Sequence, residues 1–199
     1  MDTKSLRQHI RKQRRALSDT EREQAAFLLC ERIAKSPVFQ QSKHIAFYLA
    51  NDGEIDLSLL IKHAWQQNKN VYLPVLAEPN TNRLWFIPYT PNSKLRNNRF
   101  GIPEPVHSSK TRLRKTLSLD LILMPLVAFD QQGNRVGMGG GFYDRTLSFL
   151  NHRKYWHKPN LLGVAYEFQK QNQLKTNSWD IPLQAIATDS RLYNKDKNK

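Results

Sequence analysis

Cysteine and long hydrophobic runs are scarce in this sequence of 199 residues. The single cysteine, Cys30, excludes an intramolecular disulfide and favours a reducing compartment. No run reaches the ~18 apolar residues that a membrane span requires, and the first residues lack the apolar core of a signal peptide. We therefore expect a cytoplasmic protein without a membrane segment. Because Cys30 stands in the apolar run 27–30, a buried thiol is a better interpretation than a nucleophile.

Acidic residues are also few, with 17 Asp and Glu against 31 Lys and Arg, which gives a net charge of +14. Much of the positive charge lies in residues 4–15, 94–114 and 191–199. Such an excess favours an anionic partner: a nucleic acid, a nucleotide, a polycarboxylate substrate or a membrane surface. Charge alone does not choose among them.

The first half of the chain predicts helices followed by a βαβ unit. A narrow apolar stripe predicts a helix over residues 4–17, and a capping box of Ser18 and Glu21 begins a second helix that ends near Lys35. That second helix is expected to bury Ala25, residues 27–29 and Ile33. Apolar strands are predicted at 44–49, 70–75 and 84–87, with a helix capped by Asp56 after the first. This spacing indicates parallel pairing and an α/β fold.

The second half adds a long polar loop and the predicted sheet centre. Residues 88–118 are basic and rich in Pro and Asn, which predicts a long loop. A loop of this length in a compact domain more often has a function than serves only as a connection. The most apolar strand, 119–124, is the predicted centre; strands at 160–165 and 185–188 and a helix from Asp144 to Leu150 follow. We expect one α/β domain over residues 1–194 and a disordered basic tail at 195–199.

Four of the eight glycines fall in residues 137–141, about a dozen residues after the predicted central strand. Glycine lets backbone N–H groups converge on an anion, although the cluster alone also suits a structural turn. The segment has neither the Lys-Ser/Thr of a P-loop nor the glycine spacing of a Rossmann fingerprint. Arg135 and Arg145 flank it as candidate phosphate partners, and Asp144 is a candidate magnesium ligand.

Several motifs occur in an order that resembles one known family, the 5-formyltetrahydrofolate cyclo-ligases (5,10-methenyltetrahydrofolate synthetases). They cover nearly the whole chain: Lys4-Ser-Leu-Arg7 with Arg11, Arg14 and Arg15; Asn51-Asp-Gly-Glu-Ile-Asp56; Gly101-Ile-Pro-Glu-Pro105; Met124-Pro-Leu-Val-Ala-Phe-Asp130; Gly133-Asn-Arg-Val-Gly-Met-Gly-Gly-Gly-Phe-Tyr-Asp144; and Trp179-Asp180. Each motif is weak alone, and the ordered set is specific. The resemblance implies a single-domain, three-layer Rossmann-like αβα sandwich.

The resemblance also implies a reaction that uses ATP and Mg²⁺. The formyl oxygen of 5-formyltetrahydrofolate attacks the γ-phosphate, N10 closes the ring, and phosphate leaves to give 5,10-methenyltetrahydrofolate and ADP. Phosphoryl transfer depends mainly on positioning and charge neutralisation and needs no protein nucleophile. The lack of an evident Ser/His/Asp or Cys/His constellation is consistent with this mechanism. The implied partners are a folate, possibly carrying several glutamates, and ATP, and we expect a monomer.

The resemblance assigns roles to individual residues. The implied catalytic residues are Arg135, Tyr143 and Asp144. ATP would be bound by Lys4, Arg7, Arg135, Gly137, Gly139, Gly141 and Arg145. The folate would contact Leu49, Glu54, Met138, Gly139, Gly140, Gly141 and Phe142, and magnesium would be held by Asp144 and Asp180.

Structural alternatives stand beside some of these roles. Without the resemblance, a solvated basic face is the preferred interpretation of the first helix. Glu54 equally suits a turn residue beside a helix N-terminus, and a turn cap is the alternative for Asp180. Asp130 is interpreted first as a turn residue before Gly133. Many family members carry two tyrosines where this sequence has Phe142-Tyr143, and a basic residue where it has Gly140. The first departure puts one hydroxyl contact in doubt and the second a direct cationic contact. Phe100 is a candidate for stacking on the pterin ring.

A nucleic-acid-binding protein is the competing hypothesis. It is favoured by the net charge of +14, the arginine-rich first helix and the aromatic residues Trp85, Phe86 and Tyr89. Against it, no zinc-finger, helix-turn-helix or aromatic RNA-binding signature is present. Trp85 and Phe86 point to opposite faces of one strand, so at least one belongs to the core. A scaffold that keeps the fold without the activity is a third reading.

Overall fold

A central β-sheet with helices packed against it forms the architecture, described in a computed structural model for residues 2–77, 81–108, 115–152 and 158–194. The helices are α1 (Thr3–Ala16), α2 (Asp19–Ala34), α3 (Pro37–Gln41), α4 (Ser58–Gln66) and α5 (Phe142–Leu147). The strands are β1 (His44–Ala46), β2 (Asn70–Leu76), β3 (Leu84–Pro88), β4 (Leu95–Asn97), β5 (Pro103–Pro105), β6 (Leu121–Pro125), β7 (Ala128–Phe129), β8 (Arg135–Val136), β9 (Asn160–Ala165), β10 (Ala185–Thr188) and β11 (Leu192–Asn194).

Seven of these strands form one sheet in the order β11-β10-β9-β6-β1-β2-β3. The five inner strands run parallel, whereas β3 and β11 are antiparallel to their neighbours at the two edges. β6 takes the middle position, as its apolar sequence predicts, and Leu121–Met124 are completely buried. The predicted α/β fold with a mostly parallel sheet is confirmed, and β1-α4-β2 is the predicted parallel unit.

The core divides into two clusters because successive strand residues point to opposite faces of the sheet. On one face, Ile45 and Leu121 pack with Leu29 of α2 and Leu60 of α4. On the other face, Ala46, Ile122 and Ile186 pack with Leu147 of α5 and with Ile181 and Leu183 of an irregular segment. The result is the expected three-layer sandwich, with one layer of long helices and one built from the short α5 and irregular chain.

Helix α1 packs away from both faces, on the β7–β8 hairpin that follows the central strand. Its apolar stripe, Leu6 and Ile10, contacts Val127, Ala128 and Val136. The helix begins at Asp2, whose carboxylate accepts hydrogen bonds from the backbone N–H groups of Lys4 and Ser5 at 2.8 and 3.0 Å. This packing brings the basic side chains of α1 to the end of the sheet where β1 and β6 terminate.

Helix α2 confirms its predicted start but not its predicted buried face. Ser18 and Glu21 form the reciprocal capping box, with Ser18 N–H donating to Glu21 Oε2 at 2.8 Å. Ala25, Leu29 and Ile33 are buried at a spacing of four, as one helix face requires. The expectation that all of 27–29 is buried is wrong: Phe27 is 53% exposed and Leu28 37%, because their positions rotate away from that face.

Three other predicted elements need correction. Helix α4 begins at Ser58 after Leu57, so Asp56 is not the N-cap; its carboxylate accepts from Ser58 N–H at 3.2 Å. The predicted loop 88–118 contains the β4–β5 hairpin, and its residues 109–114 lie outside the described residues. Helix α5 begins at Phe142 rather than Asp144. The predicted disordered tail, 195–199, also lies outside the described residues.

Within the described ranges, none of the helices is long and apolar enough to cross a membrane. The prediction about the strand aromatics is confirmed, since Phe86 is fully buried while Trp85 is 36% exposed. Cys30 is half-buried, and burial raises the pKa of its thiol, which suits an inert cysteine.

Candidate active site

A cavity of about 680 Å³ opens at the carboxyl end of the parallel strands. Its wall comes from α1, the loop after β1, the end of β2, the β4–β5 hairpin, the glycine-rich segment 137–141 and residues 175–180. Loops at this edge of an open parallel sheet are the usual place for a ligand, because they leave a crevice between them. The cavity brings together most residues that the sequence predicts for the site: Arg7, Leu49, Glu54, Arg135, Gly137, Met138, Gly139, Gly140, Gly141, Phe142, Tyr143, Asp144 and Asp180.

Two predicted ATP contacts, Lys4 and Arg145, are not part of this wall. Lys4 is exposed in the first turn of α1, where Thr3 lines the cavity instead. Arg145 is exposed on α5, and its Nη1 donates to the carbonyl oxygen of Gly140 at 2.6 Å. Arg145 therefore fastens the glycine-rich segment from outside, and its predicted role as a phosphate ligand stays a prediction, as does that of Lys4.

The glycine-rich segment turns in conformations that side chains disfavour. Gly139 has φ +103° and Gly141 has φ +63°, both in the left-handed range. A side chain at Gly140 would meet the ring of Phe142 at 2.8 Å. The two positions where this sequence departs from the family pattern, Gly140 and Phe142, are therefore neighbours in space. A basic residue at position 140 would require a different placement of the ring at 142.

Arg7 joins the first helix to this segment. Its Nε donates to the carbonyl oxygen of Gly137 at 2.8 Å, and its guanidinium lies 3.8 Å from the position a Cβ would take at Gly139. The basic face of α1 is thus not merely solvated: one of its arginines lies against the cavity wall. No acceptor among the described residues bonds the other guanidinium N–H groups of Arg7, which suits an anion above the glycines.

Arg135 and Asp144 form a close ion pair in the wall. Nη2 of Arg135 lies 2.5 Å from Oδ1 of Asp144, and the two side chains are 7% and 27% exposed. Nη1 of Arg135 donates to the carbonyl oxygen of Ile181, and the same Asp144 oxygen accepts from Ile181 N–H at 3.3 Å. Arg135 therefore orients Asp144, a contact that the sequence did not predict.

The carboxylates of Asp144 and Asp180 retain oxygens for a metal ion. Oδ2 of Asp180 accepts from the backbone and side-chain N–H groups of Asn177 at 2.8 and 3.3 Å, which is the turn-capping role that the sequence left open. No donor in the described ranges bonds Oδ1 of Asp180 or Oδ2 of Asp144. Nor do those ranges hold a cluster of three or more His, Cys, Asp or Glu side chains suited to a metal. Two carboxylates fit Mg²⁺ that takes its other ligands from phosphate and water.

Glu54 also lines the cavity, and its charge acts on two tyrosines of the same wall, Tyr48 and Tyr143. Burial raises the pKa of Glu54 to about 7, and the nearby Arg14 opposes that rise. Its Oε2 accepts a hydrogen bond from Asn51 N–H at 3.1 Å, so Glu54 also stabilises the turn at residues 51–54, as the alternative interpretation predicts. Burial and the charge of Glu54 raise the pKa of both Tyr48 and Tyr143 well above the usual value, which keeps both phenols protonated as hydrogen-bond donors. The Tyr48 hydroxyl donates to the carbonyl oxygen of Ile55 at 2.8 Å.

Three arginines of α1 hold the turn that carries Glu54. The carboxylate of Asp52 accepts from Arg11 and Arg15 Nε at 2.6 Å each and from Arg14 Nη2 at 3.1 Å. Arg14 is completely buried, and a Cβ at the next residue, Gly53, would lie 3.1 Å from the Arg14 backbone. We call Arg11, Arg14 and Arg15 the anchor arginines. The sequence shows these residues as family motifs but gives no signal that they converge on Asp52.

Other wall residues were outside the sequence predictions. Ile102 of the β4–β5 turn and Lys175, Asn177 and Trp179 all line the cavity. Phe100, the predicted stacking residue, is 52% exposed and packs edge-on against Phe142 with ring centroids 5.8 Å apart. Asp130 lies outside the wall: it is a buried turn residue that accepts from the backbone N–H groups of Gln132, Asn134 and Leu174.

Comparison with known proteins gives one consistent result. A family model described as the 5-formyltetrahydrofolate cyclo-ligase family matches residues 1–189. The chain is 41% identical over 181 residues to a 5-formyltetrahydrofolate cyclo-ligase of Haemophilus influenzae, covering 89% of this chain and 92% of the relative. It is 39% identical over 187 residues to the protein of that name from Escherichia coli, covering 92% and 98%. The solved structure of a 5,10-methenyltetrahydrofolate synthetase from Aquifex aeolicus matches with a TM-score of 0.82 at 30% identity, covering 100% of this chain and 95% of the other.

Proposed function

Because this chain belongs to the 5-formyltetrahydrofolate cyclo-ligase family, we propose that it converts 5-formyltetrahydrofolate and ATP into 5,10-methenyltetrahydrofolate, ADP and phosphate. One observation of the structure carries the proposal. A single cavity brings Arg7 and the glycine-rich segment, which suit phosphate, together with Glu54 and Tyr143, which suit the polar edge of a ring. The reaction needs both substrates in one place, because the formyl oxygen must reach the γ-phosphorus.

The chemical steps require little from the protein beyond position and charge. The formyl oxygen bonds to the γ-phosphorus as the bond to the ADP oxygen breaks. N10 then bonds to the formyl carbon and loses its proton, and phosphate leaves as the carbon–oxygen bond breaks. Backbone N–H groups of Gly137–Gly141 and the guanidinium of Arg7 would hold the phosphates, since such donors suit an oxyanion in a closed site. No protein nucleophile is involved.

Magnesium would be held by the available oxygens of Asp144 and Asp180, with the rest of its shell from phosphate and water. It would neutralise charge on the transferred phosphoryl group. Arg135 fixes the Asp144 carboxylate through its bond to Oδ1, so that the other oxygen faces a constant direction. We propose that Arg135 acts chiefly through Asp144; its contact with ATP stays a prediction.

Glu54 would bind the pterin ring. An ionised carboxylate only accepts hydrogen bonds, and the pterin edge carries N–H donors. Tyr143 lines the same cavity and supplies a protonated hydroxyl, which suits a role in orienting the formyl group. Leu49, Met138 and Phe142 provide the apolar part of the same wall.

Turnover of the purified protein tests the proposal. We expect methenyl product only when 5-formyltetrahydrofolate, ATP and Mg²⁺ are all present, with one ADP released for each product molecule. Absence of turnover with mono- and polyglutamyl folates, combined with tight RNA binding that weakens steeply with salt, would overturn it in favour of a nucleic-acid-binding protein.

No specific feature favours the nucleic-acid alternative. Its three aromatic residues share no open surface: Phe86 is buried, and Tyr89 packs on Trp65, whose indole N–H donates to the Tyr89 carbonyl oxygen at 3.1 Å. We keep the expectations of one catalytic domain, a monomer and a cytoplasmic location as part of the proposal. Size-exclusion chromatography with light scattering checks the monomer.

A further inference from the structure

A second cavity of about 320 Å³ adjoins the first. It lies between residues 76–77 and 82–83, at the adjoining ends of β2 and β3, and the β4–β5 hairpin. Four residues line both cavities and form the boundary between them: Leu76, Asn98, Glu104 and Phe142. The two cavities are therefore direct neighbours, close enough for one elongated ligand to contact both.

Arginines dominate the wall of this second cavity. Arg83 precedes β3, Arg96 lies in β4 and Arg99 lies in the hairpin turn, and all three are exposed. In the described part of the chain, none of them forms an ion pair with an acidic side chain. We call Arg83, Arg96 and Arg99 the cavity arginines. Three like charges around one small space repel each other, and an anion placed between them removes that repulsion.

One carboxylate, Glu104, stands in the same wall and does not neutralise the arginines. It lies opposite Arg96 in the hairpin register, yet its Oε2 accepts from Leu76 N–H at 3.3 Å and from Asn98 Nδ2 at 3.1 Å. Glu104 thereby ties the hairpin to the end of β2. Among the described residues that line the cavity, three arginines stand against one glutamate, so this part of the wall carries a net positive charge.

The position of this cavity distinguishes between the two anionic substrates. Arg7 and Gly137–Gly141, which suit the phosphates, line only the main cavity, whereas the shared wall includes Phe142 beside the proposed folate site. A folate carries its pterin ring at one end and its glutamyl carboxylates at the other. We propose that the cavity arginines form a subsite for the glutamyl carboxylates of the substrate, an assignment that rests on the proposed function.

The aromatic residues at the boundary fit the middle of the same molecule. Phe100 packs edge-on against Phe142, and the guanidinium of Arg99 lies 5.0 Å from the Phe100 ring centroid. An aromatic ring between pterin and glutamate would pass this pair on its way to the arginines. The hairpin thus contributes an apolar contact and a charged contact to consecutive parts of one ligand.

Steady-state kinetics of a triple variant, Arg83→Ala/Arg96→Ala/Arg99→Ala, test the assignment. We expect the KM for monoglutamyl 5-formyltetrahydrofolate to rise about tenfold, as loss of charge-assisted hydrogen bonds implies, and the KM for the triglutamyl form to rise more. The KM for ATP and kcat should stay within about twofold of wild type. Lys94→Ala is the matched control, because Lys94 is exposed at the start of the same hairpin and does not line the cavity.

The remaining outcomes separate the possibilities. If the KM for ATP rises instead of that for folate, the subsite binds phosphate and the assignment is wrong. Unchanged KM values for both folates, in a triple variant that is folded and active, also overturn it while leaving the proposed function intact. A wild-type protein that turns over neither folate contradicts the proposed function itself, and the assignment falls with it.

Discussion

Two groups of three arginines behave in opposite ways in this molecule. The anchor arginines on α1 converge on one carboxylate, Asp52, and one of them is completely buried. The cavity arginines are exposed, and no described acidic side chain pairs with them. In the sequence both groups are simply basic stretches. The difference shows that the partner of an arginine, and not its place in a basic stretch, decides its role. An arginine with an acidic partner stabilises the fold, whereas one without such a partner can bind an anionic ligand.

The largest expected effect comes from removing the shared partner of the anchor arginines. Asp52→Ala leaves the buried Arg14 without its carboxylate, and breaking such a pair costs about 3 kcal/mol of unfolding free energy. The bonds from the more exposed Arg11 and Arg15 add little to that cost. Urea denaturation measures the change. Glu23→Ala on the exposed face of α2 is the control, and an equal stability for the two variants would remove the distinction between the groups.

The ion pair of Arg135 with Asp144 tests whether an arginine that has an acidic partner can also contribute to catalysis. Asp144→Asn should lower kcat about 100-fold, since a preorganised charge in the site is lost. Asp180→Asn, which leaves the Arg135 pair intact, should lower it less and raise the Mg²⁺ concentration needed for half-maximal rate. Asp19→Asn on α2 should change neither. Full activity of the Asp144 variant at saturating Mg²⁺ would remove this carboxylate from the mechanism.

The pH dependence of folate use tests the role of Glu54, whose turn is held by the anchor arginines. Burial raises the pKa of Glu54 to about 7, so the carboxylate is protonated below that pH and ionised above it. The ionised form offers both oxygens as acceptors, whereas protonation turns one of them into a donor that opposes a pterin N–H. We therefore expect kcat/KM for the folate to rise with pH through about 7. In Glu54→Gln this rise should disappear and the plateau should be lower. A wild-type profile that is flat from pH 6 to 8 would argue against a pterin contact by Glu54.

The smallest expected effect is on the stability of the cavity-arginine triple variant. Because no described carboxylate depends on these side chains, its unfolding free energy should lie within about 0.5 kcal/mol of wild type. Thermal and urea unfolding check this. A loss as large as that of Asp52→Ala would mean that the cavity arginines are structural, and the comparison between the two groups would fail.

Local sequence signals predicted the parts of the fold that depend on neighbouring residues. The capping box at Ser18, the apolar strand β6 and the glycine-rich segment are all defined by residues within a few positions of each other. The motifs that resemble the family predicted most of the cavity wall. By contrast, the exposure of Phe27 and Leu28 depends on which face of α2 meets the sheet, and an apolar run does not contain that information.

Contacts between distant parts of the chain were beyond sequence reasoning. Arg7 bonds a carbonyl 130 residues away, and Arg14 pairs with a carboxylate 38 residues away. Arg135 and Asp144 are only nine residues apart, yet the sequence predicts a phosphate ligand and a metal ligand at these positions and not an ion pair between them. The short strands β4 and β5 carry no periodic pattern long enough to indicate a hairpin.

A crystal structure of the protein with 5-formyltetrahydrofolate and a non-hydrolysable ATP analogue tests the central claim most directly. The quantity to measure is the distance from the formyl oxygen to the γ-phosphorus. We predict about 3–3.5 Å, the separation of reacting atoms poised for transfer, with the γ-phosphate over Gly137–Gly141 and the glutamyl carboxylates at the cavity arginines. Nucleotide and folate bound in separate places, too far apart for the formyl oxygen to reach the phosphate, would contradict the account.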